Sequence, residues 1–348
     1  MATTLVSFFI ILLVLILAHE FGHFISAKIF KIKVEEFGIF LPPRIWGIKH
    51  RETIYSINWL PLGGFVKLSG EEDPKAPGSL AGKSIPVRLI TLGAGSLMNL
   101  LLPFLLLSIA LMVPHQASAA NPSDVGDVYV QQVALSSPAD AAGIKAGDYV
   151  LSVNSEQISN VDDYSRIINE NLGKEITVSI KHSDGTTVDV KLTPRMQAPE
   201  GEGATGVAIT TIVTRSYPFW KAIPSSVGFY WDILVALKDS IVQTIKGTVP
   251  FDVAGPVCIA SVVGEVARTG ISNLFVLAAL ISINLGIVNI FPIPALDGGR
   301  IFFVLLEWVR HGKRVSPRTE NLIHTIGFIL LLALILLVTY RDITRLVG

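Results

Sequence analysis

His19-Glu20-Phe21-Gly22-His23 sets two imidazoles four residues apart with a carboxylate between them. On a helix, positions i and i+4 share a face, so both rings can reach one metal ion. Glu20 sits beside that face, where it can take a proton from a water activated by the metal. The five-residue pattern also arises by chance, so its surroundings decide its meaning. It ends an apolar block that starts at Leu5. Ionisable side chains at membrane depth are costly and mark functional sites. The alternative, a pair of interfacial histidines capping a membrane helix, has to account for three such residues together.

Catalytic zinc takes three protein ligands and a water. The best third ligand is Asp297, in Asn289-Ile290-Phe291-Pro292-Ile293-Pro294-Ala295-Leu296-Asp297-Gly298-Gly299. It is the one charge between Ile271 and Gly299. Pro292 and Pro294 bar a regular helix, because proline lacks a donor and clashes with the preceding turn. Non-helical backbone at membrane depth survives only when buried in protein or lining a water-filled cavity. As a mere helix cap, Asp297 would leave the metal one ligand short.

The elements that carry these residues must be membrane helices. The 348 residues are 50% hydrophobic and 16% charged, with mean hydropathy +0.56. Soluble domains carry about 25% charge. The deficit is concentrated in four blocks: Leu5–Ala27, Leu89–Val113 (broken at Pro103), Leu274–Phe291 and Ile323–Tyr340. A bilayer-spanning helix needs about 20 mostly apolar residues. The first block does not read as a signal peptide: no Lys or Arg precedes it and no small-residue cleavage site follows. Lys28, Lys31 and Lys33 follow instead, which predicts a cytoplasmic C-terminal end.

Loop charges support one orientation. Residues 28–88 carry ten Lys/Arg against six Asp/Glu, and residues 300–318 carry five Lys/Arg. Residues 121–219 carry seven against thirteen. This puts both termini and the 121–219 stretch outside the cytoplasm, in the cell's inner (plasma) membrane; Arg341 and Arg345 run against it. The zero net charge gives no field to recruit nucleic acid. The one cysteine, Cys258, excludes an intrachain disulfide.

The stretch between spans two and three has ordinary soluble composition. Val128–Val133 and Tyr149–Val153 read as strands, and Val161–Asn171 as a short helix. Ile176–Lys181 and Thr187–Leu192 read as a hairpin over Ser183-Asp184-Gly185. Tyr217–Ile245 reads as an interfacial amphipathic helix. In the cytoplasmic loop, Ile54–Trp59 and Gly64–Leu68 read as a hairpin around Pro61–Gly64. A lone hairpin is marginal in water, so it should rest on the membrane domain.

Taken together, His19–His23 and the N-x-x-P-x-P-x-L-D-G pattern of Asn289–Gly298 resemble the paired signatures of site-2 intramembrane metalloproteases. Pro61–Lys67 and Asn99 also look like that family. The branch most similar is the bacterial regulator-of-sigma-E protease group, and the resemblance covers essentially the whole chain. It implies zinc on His19, His23 and Asp297, with Glu20 as base. It implies substrate contacts from Asn289, Asn99 and the hairpin residues Gly63, Gly64, Phe65 and Val66. It implies a PDZ-like fold for residues 122–196, where Ser137–Asp148 matches a usual segment. Relatives in that branch carry two tandem PDZ domains, and this chain has room for one.

The expected fold is a mainly α-helical polytopic membrane protein with four spans, a membrane-associated β-hairpin and an inserted α+β PDZ-like domain. Residues 1–121 hold spans one and two, 122–196 the PDZ-like domain, 197–270 a linker with the interfacial helix, and 271–348 spans three and four. The expected partners are the bilayer, single-span membrane-protein substrates, and a peptide or domain ligand in a groove between Val128–Val133 and Val161–Asn171. The expected reaction is hydrolysis of peptide bonds within or near transmembrane segments. A non-proteolytic chaperone or adaptor would have lost Glu20 or a ligand. A metal transporter would carry further ionisable residues along several spans, whereas the fourth block has only His324 near one end.

Overall fold

The computed structural model describes residues 2–71, 73–199, 202–248 and 254–347. The chain forms two compact units, Met1–Val113 with Tyr217–Gly348, and Pro114–Ser216. The first unit opens with α1 (Ala2–Ile29), β1 (Val34–His50), β2 (Thr53–Leu68) and α2 (Ile85–Met112). The second unit holds β3 (His115–Ser118), β4 (Asp127–Val133), α3 (Pro138–Ala141), β5 (Tyr149–Val153), β6 (Glu156–Gln157), α4 (Val161–Glu170), β7 (Ile176–Lys181), β8 (Thr187–Leu192) and β9 (Val207–Arg215). The chain returns to the first unit with α5 (Phe219–Ile245), α6 (Pro256–Thr269), α7 (Ile271–Ile290), α8 (Asp297–Val309) and α9 (Pro317–Val347).

Among the described residues, four helices are long and apolar enough to cross a bilayer: Thr4–Ile29, Ile85–Met112, Ile271–Ile290 and Pro317–Arg345. They contain the four apolar blocks, save that Val113 and Phe291 cap α2 and α7. One expectation changes. Pro103 does not break α2, which runs on to Met112. Proline removes the donor that would reach the carbonyl of Asn99, four residues back. Ser282 Oγ in α7 donates to that carbonyl at 2.7 Å, the kind of side-chain repair that lets proline persist in membrane helices. Close packing joins the other helices. A β-carbon on Gly22 of α1 would run into the carbonyl of Ala94 in α2, and one on Gly286 of α7 would lie 2.9 Å from Leu100 Cγ.

The hairpin expected of Ile54–Trp59 and Gly64–Leu68 is not formed: both stretches belong to β2, and each pairs with β1 and not with the other. Val34–Ile39 lies between two stretches of β2, with Phe37 opposite both Val66 and Tyr55. Tyr55 also pairs Ile48, so Gly64–Leu68 and Arg44–His50 form the two margins of a small sheet. Pro42, Pro43, Gly38 and Gly47 interrupt the alternation that would have revealed β1. The sheet rests on α1: Phe24 meets Phe37 and Tyr55 edge-on. Ile32, Val34, Leu68, Leu80, Leu92 and Val304 form one buried cluster beneath it. Ile45, Trp46, Ile48 and Trp59 are exposed, an aromatic rim suited to a bilayer interface.

α6 lies in the stretch that reads as linker in the sequence. Pro256 occupies its first turn, where proline costs nothing. Val263 is fully buried, and a β-carbon on Gly264 would collide with Thr4 of α1. Asp342 of α9 accepts from Cys258 N–H at 2.9 Å, capping the start of α6.

The second unit is a sheet in the order β3-β9-β4-β5-β7-β8, with β6 on β5. Its core includes Val128, Val130, Val153, Tyr164, Ile176, Val178 and Ile180. Asn160 caps α4, its side chain accepting from Asp163 N–H. The unit is wider than 122–196, because β3 and β9 pair with each other and β9 pairs β4. This also corrects the expected groove. β9 occupies the flank of β4, with Thr211 opposite Val128. It ties to α4 through Val161 N–H and Thr211 Oγ1, so a peptide has no place between β4 and α4.

Candidate active site

α1 carries His19 and His23 on one face, and both are buried. α8 begins at Asp297, and Gly298 explains how it reaches them. A β-carbon on Gly298 would run into the carbonyls of Ile290 and Phe291. Glycine therefore lets α8 start directly against the end of α7. Asp297 Oδ2 then lies 2.9 Å from His19 Nε2 and 3.2 Å from His23 Nε2, and the two Nε2 atoms are 3.2 Å apart. Among the described residues this is the one cluster of three His, Cys, Asp or Glu atoms close enough to hold a metal.

The triangle fits zinc. Bonds of about 2.0–2.1 Å at tetrahedral angles put ligand atoms about 3.3 Å apart, and two imidazoles with one carboxylate are a catalytic zinc set. The outer contacts agree. His23 Nδ1 lies 2.8 Å from the carbonyl of Thr91, an acceptor that fixes Nδ1 as the protonated nitrogen and turns Nε2 inward. His19 Nδ1 has the amides of Asn289 and Asn99 at 3.4 Å and 3.5 Å. With Nε2 on a metal, Nδ1 carries hydrogen and needs an oxygen. Asn99 Oδ1 is buried without a partner among the described residues, and a half-turn of that amide supplies it.

α2 makes room for the rings. A β-carbon on Gly95 would clash with His23 Nε2 and stand 2.7 Å from His19 Nε2. Gly95 and Thr91 thus belong to the site, although the sequence marks Gly95 only as a small residue on a protein-facing stretch and does not mark Thr91. The small-residue run Gly93-Ala94-Gly95-Ser96 in an apolar block was the available signal.

A cavity of about 260 Å³ opens on the cluster, lined by Ile16, His19, Glu20, Asn99, Leu285, Asn289 and Ala295–Asp297. Asn99 and Asn289 are therefore brought to His19 and to the cavity together. Gly63, Gly64, Phe65 and Val66 do not line it. Gly63 adopts φ +131° against Ile16, and Gly64 lies beside Leu17 and Glu20. Phe65 packs its ring over Gly38 of β1. Val66 touches the chemistry through its backbone: its N–H donates to Glu20 Oε2 at 2.9 Å.

Three ion pairs anchor α8 from behind. Glu307 bonds Arg88 of α2 at 2.6 Å and Arg314 at 3.0 Å. Arg300 bonds Glu71 at 2.6 Å.

Residues 7–334 match peptidase family M50. The chain belongs to that family. The peptidase is 36% identical to a protein of Clostridium acetobutylicum over 95% of this chain and 94% of that one. It is 30% identical to the regulator of sigma-W protease RasP of Bacillus subtilis, over 99% of both chains. It is 28% identical to the zinc metalloprotease RasP of Oceanobacillus iheyensis, again over 99% of both. Among solved structures, the PDZ domain of an SdrC-like protein from Listeria monocytogenes matches at 18% identity and TM-score 0.22. That match covers 26% of this peptidase and 93% of that domain.

Proposed function

We propose that the chain is an intramembrane zinc metalloendopeptidase that hydrolyses bonds within or near the transmembrane segments of single-span membrane proteins. The observation that carries this reading is the convergence of His19, His23 and Asp297 beside Glu20 at a cavity among apolar helices. The names of the two RasP relatives support it.

His19, His23 and Asp297 would hold the zinc, and the chemistry it would supply when bound is polarisation of the scissile carbonyl and a lowering of its water's pKa to about 7. Glu20 takes a proton from the attacking water and later delivers it to the leaving amine. Val66 N–H steadies one oxygen of that carboxylate, which leaves the other to carry the proton. Asn289 and Asn99 orient His19 and offer amides to substrate in the cavity.

A helical substrate hides its carbonyls in its own hydrogen bonds. The marginal strand Gly64–Leu68 offers replacement backbone partners once the substrate unwinds, by strand addition. Both termini and the Pro114–Ser216 unit lie outside the cytoplasm, in the plasma (inner) membrane, as the loop charges favour. That unit is PDZ-like and acts as a filter for substrates whose outer domain has already been shed. Anti-sigma factors and signal-peptide remnants are the substrate classes that fit. The test is incubation of the purified protein with single-span candidates of both classes, followed by mass spectrometry. Fragments ending inside the apolar segment are expected. Cuts confined to soluble domains would contradict the reading.

A further inference from the structure

The loop from Phe291 to Leu296 delivers Asp297 to the histidines, and its shape is held from α9. His324 Nδ1 accepts from Ala295 N–H at 2.9 Å. Ala295 sits at φ +79°, a left-handed conformation that costs an L-residue energy and needs outside support. One turn on along the same face of α9, a β-carbon on Gly327 would stand 2.9 Å from the Pro294 carbonyl. A β-carbon on Gly299 would stand 3.1 Å from His324 Cε1. Loop, α8 start and α9 thus meet at one small patch. Further along α9, Asp342 accepts from Cys258 N–H.

His324 is an expensive residue here. Its Nε2 is buried with no protein partner among the described residues, and an unsatisfied buried polar atom destabilises. An apolar side chain would fill the same space without that cost. What the imidazole adds is the single acceptor for Ala295 N–H, two residues before the carboxylate that completes the metal triangle.

We propose that His324 is a positioning residue that sets the metal affinity of the site by holding the Ala295–Asp297 turn. The proposal rests on the reading of His19, His23 and Asp297 as zinc ligands. Without its acceptor, the turn relaxes from the left-handed conformation and Asp297 Oδ2 is no longer held 2.9–3.2 Å from both Nε2 atoms. Asparagine places Oδ1 where Nδ1 stands; glutamine moves its oxygen one bond too far; leucine has none.

The experiment measures zinc affinity of the purified full chain by chelator competition for wild type, His324→Asn, His324→Gln and His324→Leu. Leucine and glutamine should weaken zinc about tenfold or more, as loss of an outer-shell contact does. Asparagine should stay within about threefold of wild type by the same reasoning. If the leucine variant fails to fold, the matched amide pair decides alone. Wild-type affinity in the glutamine variant, or equal loss in both amides, overturns the proposal while leaving the zinc reading intact. A wild-type protein that binds no zinc overturns both.

Discussion

The backbone N–H of Val66 donates to Oε2 of Glu20 at 2.9 Å. The carboxylate proposed as general base and the strand proposed to take substrate are therefore joined by one hydrogen bond. Strand and chemistry are coupled even though Gly63–Val66 do not line the cavity. Val66→Pro removes that donor and touches no zinc ligand. Zinc content should stay at the wild-type level while turnover falls about tenfold or more, the scale of a lost charge-assisted bond. The fall should be greater for a substrate with a stable helix than for one broken by Gly or Pro. Cleavage rates on such a matched pair check this. Equal loss on both would leave Val66 the positioning of Glu20 and remove its role in presenting substrate.

Gly95→Ala probes the room that α2 leaves for the imidazoles. The added carbon would stand 2.7 Å from His19 Nε2 and closer to His23 Nε2. Helix packing resists a shift, because Gly22 already brings α1 against Ala94. Zinc bound to the purified variant should fall below half of the wild-type stoichiometry, with helix content unchanged by circular dichroism. Full zinc occupancy would show that the rings are placed otherwise.

Membrane orientation is open to labelling. In a Cys258→Ser background, an impermeant thiol reagent applied from outside should modify a cysteine at Ser183 and miss one at Lys75. Both positions are exposed, so access depends on side and not on burial. The reverse pattern would invert the orientation argued from loop charges.

Burial pushes the Tyr164 hydroxyl up to about 12, against the opposing pull of its hydrogen bond to Thr205. The folded Pro114–Ser216 unit thus favours neutral tyrosine. Its contribution is complete below the unfolded pKa of about 10 and is lost as pH rises from there through about 12. The shift amounts to about 2–3 kcal/mol. Proteolysis of this unit in the intact protein should accelerate above pH 10, and Tyr164→Phe should remove that dependence. Identical pH profiles for the two proteins would contradict it.

How much the sequence disclosed depends on how local each signal is. His19 and His23 share a helical face by spacing alone. Asp297 stood out as the one charge in a long apolar stretch. Both signals live within a few residues. α6 was opaque because its burial comes from Thr4, over two hundred residues away, and its cap from Asp342. β1 was masked by prolines and glycines that only its two flanking stretches of β2 rationalise. β9 looked like linker because its value lies in pairing β4. Thr91, Gly95 and Ser282 act through one carbonyl, one missing β-carbon and one repaired proline. Thr91 and Ser282 do not mark the sequence until the helices are set side by side, and Gly95 shows there only as part of a run of small residues.

The central claim is that Glu20 is the base for hydrolysis at the His19–His23–Asp297 cluster inside the membrane. It is tested by the cleavage rate of a single-span substrate with wild type and Glu20→Gln at matched zinc content. Glutamine keeps the size of the side chain and an acceptor for Val66 N–H, but cannot take the water's proton. The account predicts equal zinc, a wild-type cut within the apolar segment, and a rate lowered about a hundredfold or more in the variant. Retention of more than about a tenth of the wild-type rate, against that range, would contradict it.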